Sequence, residues 1–481
     1  MKKYFEKFFG SGGHTKNVLV LTGGTVLGQG VVIAASPIIT RLYSPEDIGL
    51  FAVFGAALGI ITIISSLHYE LAIPLPKEDK VAFNLLGLAI TVVLVIGMIL
   101  TVSLIFGGER LLVLARANEL HNYLWLFPIS FLVFGVTQAL TFWALRKKAF
   151  HATATSTSLQ GIGMAVPQVG LGFLNIGVLG LLVGQITGQI LSACVLLKSL
   201  FRSDHHKITI KDMCEVAITY RRFPLFASWS SLINMLSAQL PVLMLSYAFG
   251  PHITGFYALS YRVLQAPMRF VGQSVSQVFF SAAADANLEG RLTDLTLRAF
   301  EKLIRISMPC FITIYIIAPE LFALCFGKPW IEAGVYSQLL MPWFLLLFLS
   351  TPLSMLVSIL QQQSKELVFQ AAYLAVVAAC FALGGHLNDS KISITLFGIF
   401  GGLCLLVKVG WLLVLTRNSI ATCVRLTIKE ILLVMPFGAL IYATKSFYHS
   451  DLLVSLTGFV CLLMMLVINF KLRGPIGNTA Q

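Results

Sequence analysis

The chain has 481 residues, of which 57% are hydrophobic and only 11% charged, with a formal net charge of +13. Soluble domains carry about 25% charged residues, so this composition excludes a soluble globular enzyme, and no stretch between the apolar blocks is long enough to form one. In a membrane chain the excess of Lys and Arg is a topology signal with attraction to anionic lipid, which argues against a nucleic-acid partner.

A membrane span needs about 20 mostly apolar residues, and in lipid a single segment can satisfy its own backbone only as a helix. Fourteen segments of that kind follow one another: 17–39, 48–68, 81–106, 122–145, 153–174, 177–200, 224–248, 254–283, 304–326, 334–360, 366–385, 393–416, 430–446 and 451–470. The fold expected is an all-α polytopic membrane protein. The first span is too long for a cleavable signal, and Pro45 and Asp47 follow where small residues would mark a cleavage site. It carries Thr22, Thr25, Gln29, Ser36 and Thr40 near one face, while span 2 carries Thr62, Ser66 and Glu70 at four-residue steps. The fifth span, rich in Gly, Thr and Ser, and the last two are the weakest by hydropathy. Span 7 adds Ser230, Asn234 and Ser237. Single Ser and Thr residues in such helices usually bond their own backbone or pack; their concentration on spans 1, 2, 7 and 8, the helices around the two corners, is the stronger signal. Gly180, Gly184 and Gly188, Gly24 with Gly28, and Gly398 with Gly402 have the small-xxx-small spacing of close helix contacts.

Span 8 holds the strongest local signal. Arg262, Gln265, Arg269, Gln273 and Ser276 fall on one helical stripe. Arg262 lies eight residues past Thr254, roughly 12 Å along a helix, and an arginine near the bilayer centre costs at least about 2.5 kcal/mol on insertion scales. Two on one polar stripe point to a water-filled lumen; the plainer alternative is a buried ion pair, with Glu70 as a partner. Lys408 in span 12 reads as a lysine whose stem reaches back to the interface. Segments 284–305 and 201–223 alternate apolar and charged residues, as interfacial helices do. His205 and His206 are adjacent, which is poor metal geometry. The eight cysteines form no CxxC pair and read as small apolar residues, not metal ligands or disulfides.

Placing the N-terminus in the cytoplasm and alternating sides puts 25 of the 34 Lys and Arg residues on the inner side. The positive-inside rule then gives an even number of helices with both termini cytoplasmic.

An internal repeat divides the chain. At an offset of 206 residues, Pro45 matches Pro251, Gly49 matches Gly255 and Phe51 matches Tyr257, with Pro37 and Pro241 upstream. Six spans separate the two Pro-x-x-x-Gly corners, so the copies run the same way through the membrane, as in several transporter folds. The organisation expected is an N-terminal six-helix bundle (1–200), a basic cytoplasmic connector (201–223), a second six-helix bundle (224–416), and an added helix pair with a tail (417–481). The two parallel bundles would enclose a central cavity that opens to alternate sides by rocking. No GxxxxGK[ST], HExxH or mid-helix acidic pair occurs, so no nucleotide motor, cofactor or metal is called for.

The corner "ITRLYSPEDIGLFAVF" at 39–54 resembles the first-loop motif of Wzx-type polysaccharide flippases: Thr40, Arg41, Leu42, Pro45 and Gly49 match, and Ile48 replaces the usual aromatic. The block 255–284, with Tyr261 and Pro267, resembles that family's eighth helix. The resemblance implies the multidrug/oligosaccharidyl-lipid/polysaccharide exporter fold. It also implies transfer of an undecaprenyl-diphosphate-linked oligosaccharide from the inner to the outer leaflet of a bacterial inner membrane, for O-antigen, capsule or exopolysaccharide assembly. A polysaccharide polymerase and a chain-length regulator are the partners it implies besides membrane lipids. The candidate substrate-binding residues are Arg262, Arg269, Gln265, Gln273, Asn234 and Gln29, and the candidate gate residues are Glu70, paired with Arg269, and Arg41. Arginine's fork of donors suits a diphosphate. A peptidoglycan-precursor flippase carries the same diphosphate end and is poorly separated from this reading. A multidrug/cation antiporter would favour acidic lumen residues, and a membrane glycosyltransferase would need a catalytic acid or a large soluble loop.

Overall fold

A computed structural model describes the chain except for residues 1–12, 115, 202–206, 269–278, 280–281, 284, 448–449 and 472–481. The protein is an all-α polytopic membrane protein. Its long helices are α1 (Gly13–Leu42), α2 (Pro45–Thr62), α3 (Asp79–Leu114), α4 (Leu126–Arg146), α5 (Phe150–Gly172) and α6 (Val178–Phe201). A short connector helix α7 (Ile210–Thr219) precedes α8 (Ser228–Phe249), α9 (Pro251–Pro267), α10 (Leu292–Phe326) and α11 (Ile331–Leu353). The remainder are α12 (Gln363–His386), α13 (Ser390–Leu415), α14 (Ile420–Phe447) and α15 (Asp451–Lys471). Twelve helices among the described residues are long and apolar enough to cross a membrane. The fifth expected span is present as α5 but is less apolar, with its run of Thr, Ser and Gly. The eighth, expected over 254–283, is a described helix through Pro267.

Contacts group the chain into two compact units, Met1–Gly255 and Phe256–Gln481. In the first, α1, α5 and α6 pack backbone to backbone. A Cβ on Gly161 would lie 2.2 Å from the Gly28 carbonyl oxygen, one on Gly24 2.5 Å from that of Ala154, and one on Gly188 2.5 Å from that of Gln160. The glycine ladders of the sequence are therefore close-packing surfaces. The apolar core joins Leu50, Val53, Phe54 and Leu58 of α2 to Phe127 and Phe131 of α4 and Leu182 and Ile186 of α6. Val242 and Leu243 of α8 pack on the same cluster, which is why compactness carries the first unit past the connector to Gly255.

The α1–α2 corner is fixed locally. Ser44 caps α2: its Oγ accepts from the Asp47 N–H (3.1 Å), and Asp47 Oδ2 accepts from the Ser44 N–H (3.0 Å) and hydroxyl (2.7 Å). Pro45 at the first helical position needs no N–H partner. The connector helix docks on α3 through Lys80 and Asp212 (2.9 Å), and Thr209 N donates to Asn84 Oδ1 (3.2 Å).

In the second unit, α10 is the central strut, with α11, α14 and α15 against it. Arg305 lies 3.8 Å from the buried Glu430 of α14, and Asn469 of α15 donates to the Arg305 carbonyl (3.1 Å). Near the other end of α10, Lys445 of α14 pairs with Glu320 (2.9 Å) and donates to the Ile316 carbonyl (3.0 Å). Two polar clamps thus hold the last helix pair along the length of α10. Lys408 finds its partner in the first turn of α12. It is buried and pairs with Glu366 at 2.5 Å, because α12 places a carboxylate within reach.

Candidate functional site

The sequence predicts a helix through residue 68, with Thr62, Ser66 and Glu70 at four-residue steps. Instead α2 ends at Thr62, and residues 63–73 form turns and a short 3-10 helix with Leu67 (φ 50°) and His68 (φ 62°) in the left-handed region. Glu70 is turned inward, 1% exposed. Ser66 Oγ donates to its Oε2, and Gln138 Nε2 of α4 donates to its Oε1 at 2.9 Å. Two neighbours of Glu70 point to two other elements. His68 Nε2 hydrogen-bonds Ser231 Oγ of α8 at 2.9 Å, and the Tyr69 hydroxyl donates to the Ala217 carbonyl of α7 at 3.2 Å. Burial raises the Tyr69 phenol above its usual range, so it remains a donor. His68 Nδ1 and Ser65 Oγ are buried with no partner among the described residues.

Buried backbone groups that leave a helix need partners elsewhere. Here Arg146 supplies some of them. Its Nη1 donates to the carbonyls of Ile73 (3.2 Å) and Pro76 (2.6 Å), while its Nε and Nη2 reach Asp79 Oδ1 at 3.1 and 2.8 Å. Lys147 reaches the other Asp79 oxygen at 2.5 Å.

The other residues chosen from sequence fall as follows. In the first unit, Gln29 is half-buried on α1 beside the Gly28 contact, Arg41 is exposed at the end of α1, and Asn234 is exposed on α8. In the second, Arg262 and Gln265 are half-buried on α9, and Gln265 Nε2 donates to the Tyr261 hydroxyl at 3.2 Å. Tyr261 stacks on Trp343 (centroids 6.2 Å, planes 30° apart), and Trp343 Nε1 donates to the Tyr373 hydroxyl at 2.8 Å. Arg269 and Gln273 lie outside the described residues, as does the Glu70–Arg269 pairing. Gln138, His68 and Ser231 were missed in sequence. The adjacent polar residues His68, Tyr69 and Glu70, interrupting an apolar run, were the signal available.

The first unit also holds a cavity of about 530 Å³ between α2, α3, the 118–124 segment and α8, lined by Phe54, Leu104, Leu112, Phe127, Leu243 and other apolar groups. With so little polar lining it suits neither a sugar nor a diphosphate. At the corner end of the first unit the Glu119 carboxyl is raised above its usual range, first by burial and then by the neighbouring Glu46 and Asp47.

A family model described as "Polysaccharide biosynthesis protein" matches residues 38–334. Sequence comparison with curated proteins returns no match. Among solved structures, the fold resembles "Lipid II flippase MurJ, inward closed conformation" with a TM-score of 0.75 at 14% identity, covering 95% of this chain and 99% of that one. It also resembles the inward-facing conformation of a multidrug resistance MATE family transporter of the MOP superfamily (TM-score 0.61, 16% identity, 83% of this chain and 98% of that one). A MOP superfamily transporter from Pyrococcus furiosus, described as having a binding pocket of reverse polarity, follows at 0.53 and 16% identity, covering 84% of this chain and 97% of that one. At these identities the likeness establishes the fold.

Proposed function

Since the chain belongs to this family of polysaccharide biosynthesis proteins, we propose that it moves an undecaprenyl-diphosphate-linked oligosaccharide from the inner to the outer leaflet of the bacterial inner membrane. The cargo serves O-antigen, capsule or exopolysaccharide assembly, and a polymerase and a chain-length regulator receive it. The protein acts as a transporter by alternating access and not as an enzyme. Its termini lie in the cytoplasm, and it works as two six-helix halves, 1–200 and 224–416, around a central cavity. Segment 201–223 joins the halves, and 417–481 adds a helix pair.

The observation that carries this reading is the family match over 38–334, which spans both Pro-x-x-x-Gly corners and the polar residues from Arg262 to Ser276. A lipid-linked diphosphate glycan has an anionic head, many hydroxyls and an apolar tail. Arg262 and Arg269 supply bidentate donors for the diphosphate; Gln265, Gln273, Asn234 and Gln29 supply amides for the sugars. Glu70 and Arg41 act as gate residues. In the state that closes the inner side, Glu70 leaves its Ser66 and Gln138 contacts and pairs with Arg269.

The test is complementation of two bacterial strains, one lacking its polysaccharide flippase and one depleted of its peptidoglycan-precursor flippase. Restored surface glycan in the first, without rescue of growth in the second, supports the reading. Rescue of growth alone replaces the cargo with the peptidoglycan precursor.

A further inference from the structure

The two Pro-x-x-x-Gly corners found as a sequence repeat meet each other, and both lie within the first compact unit. A Cβ on Gly49 would lie 1.8 Å from the Pro251 carbonyl oxygen and 3.0 Å from the Gly255 nitrogen. A Cβ on Gly255 would lie 1.8 Å from the Pro45 carbonyl oxygen and 3.1 Å from the Gly49 nitrogen. The two sets of distances agree within 0.1 Å, so the corners are related by a local two-fold axis. Neither glycine has a positive φ. They are glycines because backbone touches backbone there, not because the chain needs an unusual conformation.

Each corner is a stiff block. The first is held by Pro45 and the Ser44–Asp47 capping box. The second begins with Pro251, and Thr254 Oγ1 donates to the Gly250 carbonyl at 2.9 Å. Arg116 Nη1 donates to the Ala248 carbonyl at 3.1 Å, tying the end of α8 to the loop after α3. Ile48 and Leu50 on one side and Thr254 on the other are buried around the contact. At the two glycines the nearest atoms across the contact are all backbone, so this point can open and re-form without unmeshing side chains there.

We propose that the Gly49–Gly255 contact is the seal that closes the outer end of the transport path, and that its tightness sets the balance between closed and outward-open states. This rests on the transport reading above and names residues that reading left without a role. The seal is shut in this structure. Cargo leaves only after the α1–α2 and α8–α9 corners part, and glycine at both positions lets them close again to exclude water.

The test uses the full-length protein in a Cys-free background with Cys introduced in place of Thr254, a position 0% exposed here. A membrane-impermeant maleimide is applied to the outside of intact spheroplasts. Gly49→Ala places a methyl where the Pro251 oxygen now sits. To restore ordinary contact at 3.4 Å the corners must move apart by roughly 1.6 Å. Labelling of Cys at 254 is expected to rise several-fold in Gly49→Ala at unchanged protein level. The same rise is expected for Gly255→Ala with the reporter moved to Leu50. Unchanged labelling in a folded alanine variant overturns the seal.

A second arm keeps both glycines. The exposed repeat-related positions Glu46 and His252 are both replaced by Cys and joined by a bifunctional maleimide. Cross-linking is expected to hold reporter labelling at its minimum under every condition and to abolish export; full export by cross-linked protein overturns the proposal. Labelling reads the seal whatever the cargo is. A chain that complements neither flippase strain but shows the labelling change refutes the cargo assignment and leaves the seal standing.

Discussion

The buried pair of Lys408 and Glu366 gives a quantitative test of how the second unit is held. Lys408 Nζ lies 2.5 Å from Glu366 Oε1, with the two side chains 6% and 21% exposed. Gln370 Nε2 donates to the same oxygen at 2.9 Å, and the Phe369 ring centroid lies 5.2 Å from the ammonium. The second oxygen, Glu366 Oε2, is buried with no hydrogen-bond partner among the described residues. Lys408→Met keeps the stem volume but leaves the carboxylate with a single neutral donor. Removing one member of a buried pair costs about 3–5 kcal/mol, because an uncompensated charge remains. The residual exposure of Glu366 places the effect toward the lower figure, a change of roughly 10²-fold in the folding equilibrium at 1.36 kcal/mol per decade. Glu366→Leu strands the ammonium at similar cost. The double variant Lys408→Met/Glu366→Leu removes both charges and leaves only Gln370 without its acceptor, so its loss should be near 1 kcal/mol. Reversible unfolding in mixed micelles, run as a double-mutant cycle, measures all four proteins. A double variant whose loss equals the sum of the single losses refutes the reasoning, since the two side chains would then act independently.

Three further outcomes are expected. Arg262→Ala should lower surface glycan without loss of protein from the membrane, and Arg262→Lys should restore export only in part, since lysine keeps the charge and loses the fork; full export by the alanine variant removes the role proposed for Arg262. Reversing Glu70 and Arg269 together should restore export lost in either single reversal; a double reversal no better than the worse single one leaves Glu70 as a structural partner of Ser66 and Gln138. The Asp212 carboxyl is held below the usual carboxylate range, chiefly by its bond with Lys80 and then by Thr209. Its contribution to docking the connector helix is therefore fully present above the ordinary aspartate value of about 3.9 and is lost as pH falls through the lowered one. Hydrogen exchange across 209–219 at stepped acidic pH should show that loss in the parent and not in Asp212→Asn.

The apolar spans were legible because lipid imposes one rule on every stretch of about 20 residues, whatever its neighbours are. The Pro-x-x-x-Gly corners were legible as a repeat for a similar reason: a proline at the first helical position and a glycine one turn later are local signals. That the two corners touch was not legible, because the contact joins residues 206 positions apart. The end of α2 was missed for a different reason. The run from Ile63 to Ala72 holds no Gly or Pro to end a helix, and nothing in it marks Leu67 and His68 as left-handed. The partner of Lys408 was not legible, because Glu366 lies 42 residues away in the chain. Only the packing of α12 against α13 brings the two together.

The polar groups that sequence placed on helical stripes and the ones the fold gathers differ most over residues 63–73, and the difference has a physical origin. A helix offers side chains to its neighbours at fixed angles, so His68, Tyr69 and Glu70 on a continuous α2 would have pointed about 100° apart in turn. Breaking the helix costs unpaired backbone groups. Those near the far end of the loop are met by Arg146, which donates to the Ile73 and Pro76 carbonyls. In return, three successive side chains reach three separate elements: His68 to Ser231 on α8, Tyr69 to Ala217 on the connector helix, and Glu70 to Gln138 on α4. Each bond spans a different pair of elements, so α8 or the connector helix cannot shift relative to α4 without breaking at least one of them or moving the segment. A polar residue read by its helical phase alone is assigned one neighbour. Read by the cost of the broken helix around it, the segment becomes the place where motion of the connector must be felt at a buried carboxyl.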